Sequence, residues 1–229
     1  MTILLFDIDN TLLNFDRAEE VALGKIFEHY NIEDNDVNRS IYSRENKALW
    51  RSHEAGEISR AELLSTRFVK AFEAMKITTP YDGHQVDVDY QYYLSQGHEM
   101  MEHAQELLDE LSKTPARLYI VSNGTSKVSR PRIIESGITP YFDEIFISEE
   151  VGAHKPSLAF FDYVLNHIKT DENEEITIIG DSLTTDIQGG NNAGIHTIWY
   201  NPKHLSVSTD SIPEYEISDL LDVLSVVNL

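Results

Sequence analysis

Cysteine is absent from the 229 residues, which excludes disulfides, zinc–thiolate centres, iron–sulfur clusters and thiol nucleophiles, and accords with a reducing compartment. Basic residues are scarce: 18 Lys and Arg stand against 39 Asp and Glu, a formal net charge of −21. A chain this acidic has no electrostatic footprint for nucleic acid or anionic lipid, both of which it would repel. Long hydrophobic runs are missing too, since no apolar stretch approaches the roughly 20 residues that span a bilayer. The opening Met1-Thr2-Ile3-Leu4-Leu5-Phe6-Asp7 has no basic leader, and carboxylates interrupt its apolar run at once. The expectation is a cytoplasmic protein with no nucleic-acid or membrane partner. Internal repeats, low-complexity tracts and charged tails are also lacking. What remains, 41% hydrophobic and 25% charged residues, is the composition of a chain that buries a core.

Five short apolar runs bounded by turn residues, at positions 3–6, 117–121, 144–147, 176–179 and 197–200, predict strands buried on both faces, as in a parallel sheet. Only the first lies in the N-terminal half. Between Phe15 and Gly97 the periodicity becomes helical, with Ala18, Ala22 and Ile26 on one stripe and Leu23, Phe27 and Tyr30 beside it. Ser59-Arg60-Ala61-Glu62 reads as a capping box opening a further helix. Tyr42, Trp50 and the Tyr90–Tyr93 cluster fall in two more. From Met100 onward helix and strand alternate, with helices expected near 104–111, 131–135 and 158–168 and a last one at 219–226 capped by Ser218. The fold class expected is α/β: a Rossmann-like parallel sheet of residues 1–14 and 98–229, with an α-helical domain of residues 15–97 inserted after the first strand. Ligands of such sheets bind outside the carboxyl ends of the strands, so an insertion there is expected to act as a lid.

Those strand ends carry the chemistry. Asp7-Ile8-Asp9-Asn10-Thr11 places two carboxylates directly behind a buried strand, where they repel each other and call for a compensating cation or a shared proton. Ile179-Gly180-Asp181 through Asp186 ends another apolar strand with two more. Two acidic strand ends in one sheet imply a hard divalent cation with oxygen ligands, Mg²⁺ above all. Val121-Ser122-Asn123-Gly124 and Gly152-Ala153-His154-Lys155-Pro156 add a hydroxyl, backbone N–H groups and a lysine, the donors that a phosphate needs. Each feature alone has an ordinary explanation as turn, cap or solvated charge. The nine histidines show no zinc-ligand spacing, and Gly189-Gly190-Asn191-Asn192-Ala193-Gly194 is better explained by tight helix packing than by dinucleotide binding.

In this order the motifs resemble the haloacid dehalogenase superfamily, whose four motifs correspond to Asp7 through Thr11, Ser122, Lys155, and Asp181 with Asp186. The resemblance covers essentially the whole chain, including a small helical cap after the first motif. Asp181 to Gly190, Asn192-Ala193-Gly194-Ile195, Trp199-Tyr200-Asn201-Pro202, Gly56-Glu57-Ile58, Ala61-Glu62-Leu63 and Arg67-Phe68 look like the branch that contains bacterial pyrimidine 5′-nucleotidases.

That resemblance implies a phosphomonoester hydrolase. Asp7 would be the nucleophile forming an aspartyl-phosphate, and Asp9 the general acid and then base. Mg²⁺ would be held by Asp7, the Asp9 carbonyl and Asp181, with Asp186 a direct or water-mediated ligand. Ser122 and Lys155 would hold the phosphate oxygens, with Asn10, Thr11 and Asn123 as orienting residues at the phosphate or substrate. The expected partner is a small phosphate ester, a pyrimidine nucleotide first, and the protein a monomer or homodimer. A phosphatase or phosphomutase for small sugar phosphates or phosphoglycolate shares every motif. A non-catalytic phosphate-ester binding module is disfavoured by the intact set Asp7, Asp9, Lys155 and Asp181, and a carbon-attacking dehalogenase by Asp9. Two departures stand out. His154 precedes the lysine and reads as a solvated loop residue, and Glu102-His103-Ala104 replaces a Pro or Gly expected before the helix that follows the insertion. Aromatics of the insertion are core by default, with Tyr42, Trp50 and Tyr92 the ones that could stack on a base.

Overall fold

The computed structural model describes residues 2–78, 81–168, 170, 174–206 and 210–227. In chain order the elements are β1 (Thr2–Phe6), α1 (Phe15–His29), α2 (Asp36–Glu54), α3 (Arg60–Ala74), α4 (Gly83–Leu94), α5 (Ala104–Leu111), β2 (Arg117–Ser122), α6 (Ser126–Glu135), β3 (Glu144–Ile147), α7 (Ser148–Val151), α8 (Leu158–His167), β4 (Glu175–Gly180), α9 (Gln188–Ala193), β5 (His196–Tyr200), β6 (Tyr215–Ile217) and α10 (Val223–Val226). They fall into two compact units, Met1–Asp16 with His98–Leu229, and Arg17–Gly97. Among the described residues no helix is long and apolar enough to cross a membrane.

The first unit is an α/β fold around one six-stranded sheet in the order β3-β2-β1-β4-β5-β6, every neighbouring pair parallel. Alternation along β1 explains its unbroken apolar run. Leu4 and Phe6 face one core, with Leu107, Leu108, Leu111 and Ile133. Ile3 and Leu5 face the other, with Phe160, Phe161, Val164 and Ile178. A strand covered on both faces has no position left for a polar residue until it ends. The paired glycines after β4 are packing glycines, as expected. A β-carbon on Gly189 would come within 2.3 Å of the Phe161 ring, and one on Gly190 within 2.5 Å of Thr197.

The strand order also fixes where a ligand can bind. The chain runs outward from β1 through β2 to β3 and then returns to the other side of β1 as β4. The reversal opens a crevice between the carboxyl ends of β1 and β4.

The second unit is helical. Ala18, Ala22, Leu23, Ile26 and Phe27 form the buried stripe of α1, and the Ser59 hydroxyl accepts the Glu62 N–H at 3.1 Å to start α3. Its core is aromatic: Tyr42 stacks on Phe68 at 5.1 Å, and Tyr90 meets Phe68 edge-on at 5.2 Å. A buried Arg67–Asp87 ion pair lies in the same core, with the guanidinium 4.6 Å over the Tyr90 ring. At 1% exposure, Tyr42 is a core residue and has no face for a base, whereas Tyr92 is 63% exposed.

Three sequence expectations need correction. The five predicted strands lie within one residue of those observed, but β6 is an unforeseen sixth. The helix expected from Pro131 begins five residues earlier, so Pro131 lies inside α6. The C-terminal helix expected at 219–226 is a 3₁₀ turn, Leu220–Asp222, followed by the single turn α10. Asp219, not Ser218, caps it, accepting the Leu221 N–H at 2.9 Å.

Candidate active site

β1 delivers Asp7 to the crevice in a defined register. Phe6 pairs with Ile179 on β4 and Ile120 on β2, and the Asp7 N–H donates to the Ile179 carbonyl at 2.9 Å. The chain then turns tightly: the N–H groups of Leu12 and Leu13 both donate to the Ile8 carbonyl, at 3.0 and 2.9 Å. Ile8, Leu12 and Leu13 are fully buried and anchor this loop. Asn10 adopts a left-handed φ of 60°, a conformation that Asn tolerates better than most residues. Its side chain both accepts the Asp16 N–H at 3.0 Å and donates to the Asp16 carboxylate at 3.1 Å. Asn10 therefore ties the loop to the start of α1, while the buried Thr11 hydroxyl lies 3.5 Å from Asp7 Oδ2.

Lys155 occupies the centre of the site. Its ammonium donates to Asp7 Oδ1 at 2.6 Å, to Asp186 Oδ1 at 2.6 Å and to the Val121 carbonyl at 2.8 Å, so all three of its protons are used. Asn123 holds the backbone behind it: the Asn123 side-chain carbonyl accepts the Lys155 N–H, and its amide donates to the Lys155 carbonyl, both at 2.9 Å. The Asn123 side chain, expected to orient groups at the phosphate or substrate, thus braces the backbone of Lys155. Ser122 is buried at the end of β2, its hydroxyl accepting the Gly124 N–H at 3.1 Å. His154 is half-buried and its ring faces the Lys155 carbonyl at 3.1 Å.

Asp181 and Asp186 complete the cluster from β4. Asp186 comes from a π-helical turn, Leu183–Ile187, whose Ser182 hydroxyl accepts the Thr185 N–H. The fully buried Asp186 carboxylate accepts the Ser182 N–H at 3.1 Å as well as the Lys155 ammonium. The Asp181 carbonyl is fixed by the Trp199 indole N–H at 2.8 Å. Ligand oxygens of Asp7, Asp181 and Asp186 lie within 4.8 Å of one another.

One lysine cannot neutralise so many carboxylates. Burial pushes the Asp7 carboxyl up to about 7, with the nearby Asp186 and Asp9 adding to the rise and Lys155 opposing it. Burial, then Asp7 and Asp186, holds Asp181 well above the carboxylate range. Burial would lower the Lys155 ammonium, but Asp186 and Asp7 outweigh it and raise the group above its usual value. Oxygen-only donors with excess negative charge suit a hard divalent cation. The residues present fit Mg²⁺.

Asp9, half-buried at the mouth of the loop, accepts from the guanidinium of Arg132 on α6. No motif in the sequence points to Arg132. Nothing local distinguishes it from Arg130, two residues away, which is exposed and pairs with Glu150 at 2.5 Å.

The model of the haloacid dehalogenase-like hydrolase family matches residues 4–200. The chain is 42% identical over 224 residues to pyrimidine 5′-nucleotidase PynA of Streptococcus pneumoniae, covering 96% of this chain and 94% of that protein. It is 29% identical to pyrimidine 5′-nucleotidase YjjG of Escherichia coli, over 95% and 93% of the two chains. The crystal structure of YfnB from Bacillus subtilis, solved bound to magnesium, superposes with a TM-score of 0.92 at 37% identity, covering 100% of this chain and 99% of that one.

Proposed function

Because the chain belongs to the haloacid dehalogenase-like hydrolase family, we propose that it is a Mg²⁺-dependent 5′-nucleotidase that cleaves pyrimidine nucleoside monophosphates through an aspartyl-phosphate on Asp7. The observation that carries the phosphatase chemistry is the Lys155 ammonium 2.6 Å from Asp7 at the β1–β4 crevice, beside the Asp7, Asp181 and Asp186 cluster. The base preference rests on the two nucleotidase relatives. The division of labour follows the same reading, with residues 1–14 and 98–229 as the catalytic body and 15–97 as the helical cap.

An Asp7 carboxylate oxygen attacks phosphorus as the bond to the ester oxygen breaks, and Asp9 gives its proton to the departing alkoxide. Asp9 then takes a proton from the water that attacks the aspartyl-phosphate, and Asp7 leaves as free carboxylate. Ser122 and Lys155 hold the non-bridging oxygens, Lys155 exchanging a carboxylate partner for phosphate. Thr11 orients Asp7. Asp7, Asp181 and the Asp9 carbonyl, with Asp186 directly or through water, would hold Mg²⁺, which when bound supplies the charge that keeps Asp7 ionised and offsets the phosphate.

The test is phosphate release from pyrimidine and purine nucleoside 5′-monophosphates and sugar phosphates, with and without Mg²⁺. Pyrimidine nucleotides should be the best substrates, only with the metal, and Asp7→Asn should be folded and inactive. No release from any ester would favour a binding module, isomerisation a mutase, and faster sugar-phosphate cleavage a different substrate class.

A further inference from the structure

Among the described residues, Arg132 is the largest charged side chain to be completely buried, at 0% exposure. A guanidinium gives up its water only where the fold supplies defined partners. Here these include Asp9, bonded to Nη1, and the Phe15 ring, whose centroid lies 5.3 Å from the guanidinium carbon. Asp9 is the exposed member of the pair, at 29% against 0%. Arg132 is thus fixed from the protein side, and the Asp9 carboxylate is the end of the pair that remains partly open to solvent. Asp9 also stands outside the Asp7, Asp181 and Asp186 trio, although it follows Asp7 by only two residues. Ser122 and Lys155 are held by different contacts, from Gly124 and from Asp7, Asp186 and Val121.

From this geometry we infer that Arg132 is the positioning residue for Asp9, holding its carboxylate out of the Asp7 cluster and in place for proton transfer to the leaving oxygen. The inference rests on the acid/base assignment of Asp9 made above. Arg132 acts through Asp9, while the phosphate-holding pair, Ser122 and Lys155, is fixed by its own contacts. Its loss should slow both proton transfers and leave phosphate binding nearly unchanged.

The experiment uses the full chain with Mg²⁺ and four variants: Arg132→Gln, Arg132→Lys, Asp9→Asn, and the Asp9→Asn/Arg132→Gln double variant. Each is assayed on a nucleoside monophosphate and on 4-nitrophenyl phosphate, whose leaving group departs without a proton. Arg132→Gln should lower kcat on the nucleotide by about 10- to 100-fold, the cost of a misplaced catalytic group, with KM little changed. Arg132→Lys should recover part of that loss. On 4-nitrophenyl phosphate, Arg132→Gln should release one equivalent of nitrophenolate quickly and then slow down, because hydrolysis of the aspartyl-phosphate still needs Asp9 as base. The double variant should be no slower than Asp9→Asn alone, since one interaction cannot be lost twice. The inference is overturned if the double variant loses the full Arg132→Gln factor again, or if both esters slow equally with a raised KM and no burst. Should Arg132→Gln fail to fold, Arg132→Lys and its double variant with Asp9→Asn carry the same comparison. Wild-type rates in Asp9→Asn would instead overturn the acid/base assignment itself, a failure visible without any Arg132 variant.

Discussion

Gly180 lies directly against Asp186: a β-carbon built on the glycine would fall 2.3 Å from the Asp186 carboxylate carbon and 2.3 Å from its Oδ2. The carboxylate is buried and fixed by Lys155 and the Ser182 N–H, so it cannot swing into solvent. The strand ends in glycine because the acidic cluster occupies the space of a side chain. Gly180→Ala should therefore cost about 1–3 kcal/mol of stability, the usual penalty of overpacking. It should also weaken Mg²⁺ binding by about 10- to 100-fold, as displaced metal-site supports do. Calorimetric titration with Mg²⁺ checks this, and unchanged affinity would remove Asp186 from the metal site.

Lys155→Met should strand two buried carboxylates, Asp7 and Asp186, without their shared cation. Removing one member of a buried ion pair costs about 3–5 kcal/mol, so Tm should fall clearly in metal-free buffer. Added Mg²⁺ should raise Tm more in the variant than in the wild type, because an ion bound to the native site replaces part of the missing charge. Thermal melts with and without Mg²⁺ decide the matter. Equal Mg²⁺ shifts in the two proteins would show that the ammonium and the metal site are energetically independent.

His103 shows how a local departure is accommodated. It takes the left-handed φ of 60° before α5, where a glycine would be free of strain, and its Nδ1 lies 2.8 and 2.9 Å from the two Asp219 carboxylate oxygens. The hydrogen bond to Asp219 raises the imidazole above its ordinary value. The Leu221 N–H, followed by His103, lowers Asp219. The His103 contribution is complete below the unfolded value of about 6.5 and is lost as pH rises through the raised folded one. The Asp219 contribution is present above about 3.9 and is lost as pH falls through the lowered one. The stability difference between wild type and Asp219→Asn should thus be largest between those limits and fade toward alkaline pH. An NMR titration should find the His103 ring returning to its ordinary value in Asp219→Asn, and no change would dissolve the pairing.

The same examples show what a sequence carries. β1 is legible because Ile3 and Leu5 serve one core and Leu4 and Phe6 the other, which leaves an unbroken apolar run. Asp7 and Asp181 are legible because each opens a pair of carboxylates at the end of such a run, where neighbouring like charges call for a compensating cation. β6 is not, since Tyr215 and Glu216 are exposed and only Ile217 of its three residues is buried. Arg132 is invisible because its partner Asp9 lies 123 residues away. Asn123 stands in a legible motif, but its partner Lys155 lies 32 residues on, and only the fold shows that its amide faces the lysine backbone. Contacts set by topology leave no local periodicity.

The charge of −21 makes a final prediction, about how substrate arrives. A phosphate monoester is an anion, and the field of the whole chain repels it. The cation at the centre of the site, Lys155, is already bonded to Asp7 and Asp186, so it projects little positive potential outward. With Mg²⁺ held at saturation, raising inert salt from 0.01 M to 0.1 M shortens the screening length from about 30 Å to about 10 Å. That removes most of the long-range repulsion and leaves the short contacts at Ser122 and Lys155 nearly intact. kcat/KM should therefore rise with salt while kcat stays flat, because screening acts on encounter and not on the chemical step. A steep fall in kcat/KM over the same range would mean that the crevice focuses a positive field despite the surrounding acid, and would place the source of attraction outside the Lys155 cluster.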